Sequence, residues 1–88
     1  RIDFIKIDVE GYEYHVLQGA EKTIENSRPV FFIEVVDDFL KAQGSSAELL
    51  VSFLDSKKYK LKNANDGAEV TTKTNFTNSH FDIIALPA

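Results

Sequence analysis

The sequence predicts an α/β domain whose open sheet is mostly parallel, with one strand running antiparallel. Three observations lead there. Two apolar runs, residues 3–9 and 30–36, are separated by a stretch whose apolar residues recur at the three-and-four spacing of a helix. The first run ends in Asp8 and Glu10 and then a glycine, Gly11, as strands do at the carboxyl edge of open α/β sheets. The last two strands follow one another without a helix, so one of them is expected to run antiparallel, while helix-linked strands are expected to be parallel neighbours.

Taken in order, residues 3–9 form the first strand, with Phe4, Ile5, Ile7 and Val9 falling on both faces, as in strands covered by helices on each side. Gly11 provides close backbone approach or an unusual dihedral at the turn. Residues 12–25 form one helix that buries Tyr12, Val16, Leu17, Ala20 and Ile24 and leaves Glu13, Gln18, Glu21, Lys22 and Glu25 wet. Gly19 inside that pattern costs about 1 kcal/mol relative to alanine, which suggests close packing on the sheet. Pro29 ends the segment by disfavouring helix at Arg28.

Residues 30–36 are the most apolar run and form the central strand. Glu34 stands out there, because an unpaired buried charge is expensive. It is expected either at a cleft or paired, on the edge that carries Asp8 and Glu10, with Asp37 and Asp38 following. A short helical turn or loop over 39–44 leads to a capping box, Ser45 with Glu48, and then a helix over 47–57 burying Leu49, Leu50, Phe53 and Leu54. Residues 59–63 alternate Tyr59 and Leu61 with lysines, which suits an edge strand. Asn65-Asp66-Gly67 is a turn, and the pattern over 69–72 does not separate strand from loop. A polar stretch over 73–79, anchored by Phe76, precedes the last strand, 81–86, which Pro87 stops.

Eighty-eight residues make one small domain. The net charge of −4 and the absence of a basic face argue against nucleic acid as a partner. Without cysteine there is no disulfide framework, thiol nucleophile or cysteine metal site. No apolar run has the length of a membrane span and no signal-peptide pattern opens the chain, so a cytoplasmic location is expected. The chain opens at Arg1, almost inside a strand, and is read as an excerpt of a longer protein.

The acids admit two readings on physics alone: a site at a sheet edge, or acids attracted to a helix N-terminus by its dipole. For His15 an exposed or capping role competes with a role as a base facing a cleft. Asp8, Glu10, Glu34 and Asp37 could together offer oxygen ligands to magnesium, but the spacing does not demand an ion and no metal is assigned. A TIM-barrel fragment would also carry acids at strand ends; the consecutive final strands argue against it.

Phe4-Ile5-Lys6-Ile7-Asp8-Val9-Glu10-Gly11, followed by Glu13, Val16, Leu17, Gly19 and Ala20, resembles the hallmark of FkbM-type methyltransferases. Residues 29–34 and 82–87 fit the same family. The resemblance implies the C-terminal half of a Rossmann-like class I methyltransferase sheet, a single partial domain over 1–88, with the final strand inserted antiparallel between the second strand and the lysine-rich one. It implies methyl transfer from S-adenosylmethionine to a hydroxyl of a small molecule or saccharide. The glycine-rich loop and the ribose-holding acid of that family have no counterpart here. They are expected upstream of Arg1, so the chain alone is expected to be catalytically inert. Within it, Asp8, Glu10 and Glu34 are the candidate catalytic acids, and Tyr12 and His15 the candidate substrate contacts. The rival reading is a non-catalytic α/β interaction module that keeps the fold without cofactor binding. Strand 3–9, apolar and lacking an outer neighbour, is expected to invite self-association.

Overall fold

A computed structural model describes residues 4–76 and 80–88. The expected strand residue Asp3 and the end of the polar 73–79 stretch lie outside them. The elements are β1 (Phe4–Ile7), α1 (Glu13–Gly19), α2 (Glu21–Ser27), β2 (Val30–Val36), α3 (Asp37–Ala42), α4 (Ala47–Ser56), β3 (Tyr59–Asn63), β4 (Glu69–Val70) and β5 (His80–Pro87). The sheet order is β1-β2-β5-β3-β4.

β5 does insert antiparallel between β2 and β3, in register Glu34↔Asp82 on one side and Leu61↔Ala85 on the other. That insertion overturns the expectation of a mostly parallel sheet. β1 and β2 form the one parallel pair among the described residues, and the other three pairings are antiparallel. The physical reason is connectivity. β2 and β3 both run against β5, so they share a direction, yet β5 separates them and they never pair. β4 then folds back on β3, which therefore is not the edge strand its lysines suggested.

The core lies on one face of the sheet. Ile7, Phe31, Ile33, Val35, Tyr59, Leu61, Ile83 and Ala85 meet Leu17, Ile24, Leu40, Leu50, Val51 and Leu54 from the helices. Burying each large apolar side chain contributes roughly 1.5–3 kcal/mol. Alternation along β2 assigns Phe31, Ile33 and Val35 to that core, and Val30, Phe32, Glu34 and Val36 to the opposite face, where they are half-buried. Phe4 and Leu86 on this second face are 59% and 36% exposed. Among the described residues no helix covers it, so the strands are not sandwiched on both sides as their apolar runs suggested.

The first helix is not continuous. It breaks at Ala20 (φ −101°, ψ 16°), between α1 and α2. A side chain at Gly19 would meet nothing within 4 Å, so close packing does not explain that glycine. The buried stripe is rotated from the one expected: Glu13, Leu17 and Ile24 face inward, whereas Tyr12 and Val16 are exposed. The cap of α4 is also shifted by one residue. Ser46 accepts from the Leu49 N–H at 3.0 Å, and Ser45 instead donates to the Leu40 carbonyl. Leu49, expected in the core, is exposed.

The helix layer is tied to the sheet at its far end by Arg28, whose guanidinium donates to the carbonyls of Lys57 and Lys58 and lies 4.6 Å over the Tyr59 ring. Lys57, expected to serve the dipole of its own helix, instead reaches Glu21 and Glu25 on α2.

Candidate functional site: an acid pair at the carboxyl ends of two parallel strands

The site is built around the turn that follows β1. The Tyr12 N–H donates to the Val9 carbonyl, and the two residues between, Glu10 and Gly11, both have positive φ (50° and 104°). Only a turn of primed type has that pattern, and glycine is the residue that accepts it without strain. Gly11 is further constrained by its neighbour, since a Cβ there would lie 2.4 Å from the Phe39 carbonyl oxygen on α3. Glu10 sits in the left-handed region with an exposed side chain. An L-residue other than glycine pays about 1–2 kcal/mol there, and such outliers gather at functional sites.

What fixes the turn is Glu13, which sequence reasoning placed on the wet side of the helix. It is 1% exposed, and its two carboxylate oxygens accept the N–H groups of Val9 (2.9 Å) and Gly11 (2.8 Å). Hydrogen bonds to an ionised acceptor are roughly twice as strong as neutral ones, which offsets the cost of burying the carboxylate. One sequence signal could have exposed this role. Glu13 opens the helix directly after a glycine turn and lies four residues before Leu17, on the core stripe.

The turn presents Asp8 one step past the last β1–β2 pair, Ile7↔Ile33, so Asp8 stands beside Glu34. The carboxylates of Asp8, Glu13 and Glu34 lie within 4.8 Å of one another. Partial burial, then the hydrogen bond and the charge of Asp8, hold the Glu34 carboxyl above its ordinary value, while His80 opposes the shift. His80 Nε2 is 3.6 Å from Glu34 Oε2. The oxygens of Glu13 accept backbone N–H groups, whereas Asp8 and Glu34 engage each other, with His80 beside Glu34. Three carboxylates so engaged supply a small share of the six or more oxygens that Mg²⁺ or Ca²⁺ takes.

The raised carboxyl has a consequence for stability. A carboxyl whose folded value lies above its unfolded one stabilises the fold at acid pH and loses that contribution as pH rises through the folded value. Glu34→Gln is therefore expected to unfold at higher urea than wild type at neutral pH. The two proteins should converge once the pH falls below the ordinary carboxylate range.

The other sequence candidates are placed differently. Glu10 is on the turn beside the pair, exposed. Tyr12 is exposed, with its ring 6.1 Å from that of His15. His15 Nε2 contacts the Gln43 carbonyl at 2.8 Å, which ties α1 to the end of α3 and engages this histidine away from the acid pair. Asp37, read as a rim acid, is buried, accepts the Ala47 N–H at 2.8 Å and pairs with Lys41. It serves the start of α4.

The sheet brings two acids together where adjacent parallel strands end, the edge at which open α/β sheets commonly place their sites. The chain belongs to the methyltransferase FkbM domain family, whose model matches residues 1–61. The matched stretch runs from β1 through α4 into β3 and holds the whole acid pair; β4 and β5, and with them residues 82–87, lie beyond it. No curated protein and no solved structure gives a significant match to the chain. No helix among the described residues is long and apolar enough to cross a membrane.

Proposed function

We propose that these residues form the acceptor side of an S-adenosylmethionine-dependent methyltransferase that acts on a hydroxyl of a small molecule or saccharide. The observation that carries the reading is the Asp8–Glu34 pair, two carboxylates brought together by the β1–β2 pairing and by a turn that Glu13 and the α3 backbone hold in place. When bound, the cofactor supplies the methyl group. The residues described here do not fit its nucleoside. One cavity of about 340 Å³ lies between Asp37, Lys41, Ser46, Glu48 and Phe76, and another of about 220 Å³ lies beside Tyr59, Leu61 and Val70. Neither is lined by Asp8, Glu10 or Glu34. In this reading the cofactor is held by a segment upstream of Arg1, and the chain's own part is to orient the hydroxyl and receive its proton.

The chemistry suits a carboxyl with a raised pKa. A general base works best when its pKa approaches the operating pH, and Asp8 raises Glu34 by disfavouring a second negative charge at close range. Asp8 then orients the acceptor hydroxyl while Glu34 takes the proton, and Glu10 borders the opening. In a protein that joins these residues to the cofactor-holding segment, Asp8→Asn and Glu34→Gln are each expected to lower kcat for methyl transfer about a hundredfold, with no fall in the urea midpoint. Loss of folded protein in step with activity would make both residues structural.

The rival reading, a non-catalytic module, is favoured by the uncovered second face of the sheet, with Phe4 and Leu86 exposed. Calorimetry with S-adenosylmethionine on the longer protein separates the two readings, since the module would not bind it. The proposal extends to association. β1 occupies the edge of the sheet with its outer side unpaired among the described residues, and an apolar edge strand recruits another. Sedimentation of the 88-residue chain at rising concentration is expected to show a dimer that Ile5→Pro abolishes.

A further inference from the structure

We infer that the open face of the sheet binds a second copy of this chain, the two sheets stacked with their strands crossing near a right angle. The inference goes beyond methyl transfer and does not rest on it. The strand registers arrange that face in rows. Val30 on β2 and Leu86 on β5 share the first row, one step past the Phe31↔Ala85 pair, with Phe4 beside them on β1 and Lys60 on β3. The second row is Lys6, Phe32, Ile84 and Lys62. Asp8, Glu34 and Asp82 form the third. Val30, Phe32 and Ile84 are half-buried, and Phe4 and Leu86 are exposed. The face is thus an apolar square bordered by lysines on the strands at either side and by acids across one end.

Such a pattern is complementary to itself. Strands lie about 4.8 Å apart and alternate residues about 6.8 Å apart, so four strands by three rows make a patch of about 14 by 14 Å. Because the two dimensions agree, a two-fold axis between the sheets, along the Val30–Ile84 diagonal of the square, turns rows onto strands. This is the orthogonal mode of sheet packing, and the contact is isologous. Val30 and Ile84 then meet their own counterparts, and Phe32 meets Leu86 of the second copy. The acid row of one copy falls along β3 of the other, Glu34 beside Lys60 and Asp82 beside Lys62, and the symmetry repeats both pairs. Aligned strands about the same centre instead set Lys60 against Lys62 or Glu34 against Asp82, which repel. Lys60, Lys62 and Asp82 form no ion pair among the described residues, so the second copy supplies the partners they lack. The patch is small beside the roughly 800 Å² per partner of a standard interface, so the contact is weak and covalent trapping suits its detection.

A carbodiimide, which joins a carboxylate directly to an amine, reads these pairs. Unlabelled and ¹⁵N-labelled 88-residue chains are mixed at rising concentration and treated, and the crosslinked peptides are weighed. The expected product joins Lys60 or Lys62 of one isotope to Glu34 or Asp82 of the other. Crosslinks confined to one isotope overturn the inference, and the link within a chain between the diagonal neighbours Lys62 and Asp82 serves as the control for reactivity. Pairing through the β1 edge cannot give the mixed product, because it leaves Lys62 six strand spacings, about 29 Å, from Asp82 of the other copy. Two variants, each checked for a wild-type circular dichroism spectrum, complete the test. Leu86→Glu puts charge at the centre of the contact, and Asp82→Lys sets like charges opposite Lys62. Each is expected to remove the mixed-isotope link between Glu34 and Lys60, and survival of that link in either variant overturns the inference.

Discussion

Gly11→Ala is expected to remove at least about 3 kcal/mol of stability, enough to unfold much of a domain of this size. Two independent costs add. The backbone at φ 104° is one that an L-side chain rarely adopts. The new methyl would also lie 2.4 Å from the carbonyl oxygen and 2.8 Å from the carbonyl carbon of Phe39, and 3.2 Å from Gln43 Cγ. The flexible Gln43 side chain can yield, but the Phe39 backbone belongs to α3 and cannot move without displacing it. α3 is in turn held by the His15–Gln43 contact and by Leu40 in the core. Urea unfolding followed by circular dichroism checks this. The control is Gly19→Ala, which introduces the same methyl group where nothing lies within 4 Å and should leave the midpoint unchanged or raised.

Glu13→Ala is expected to cost about 2–5 kcal/mol, because it leaves the N–H groups of Val9 and Gly11 without their acceptor beside a buried turn. Glu13→Gln separates the charge from the shape. Its amide has one oxygen to offer, so one of the two N–H groups meets an NH₂ group and goes unpaired. The loss should fall between wild type and alanine. Both variants should also loosen the placement of Asp8, since the turn is what aims it. Hydrogen exchange reads this directly: the Val9 and Gly11 amides should lose protection before the amides of β2 do.

The strands were legible because their cause is local. The apolar runs around Ile5 and Phe32, the acids that end them and the turn at Gly67 each carry their own signal, and so does the insertion of the last strand once the family pattern is seen. The sheet's mostly antiparallel pairing was not, because it depends on which neighbour β5 leaves each strand, a property of the assembled sheet. The break at Ala20 and the rotation of the helical stripe were hidden for a related reason. An exposed Tyr12 and Val16 look like a core face until the turn at Gly11 fixes where the helix begins.

Asp8 and Glu34 were readable as acids at strand ends. Glu13 was not, since a glutamate at the start of a helix is usually a solvated one favoured by the dipole. Its burial follows only when the positive φ values of Glu10 and Gly11 point two N–H groups at it. His80, in the last strand and opposite Val36, had no sequence signal at all.

The central claim is that the turn exists to hold Asp8 against Glu34. Carbon-13 NMR titration of the side-chain carboxyls in the chain tests it most directly. Glu34 is expected to titrate above its ordinary value of 4.5, and to move down toward it, without reaching it, in Asp8→Asn, where partial burial remains. Independent titration of Glu34 at the ordinary value, unaffected by Asp8→Asn, would contradict the account.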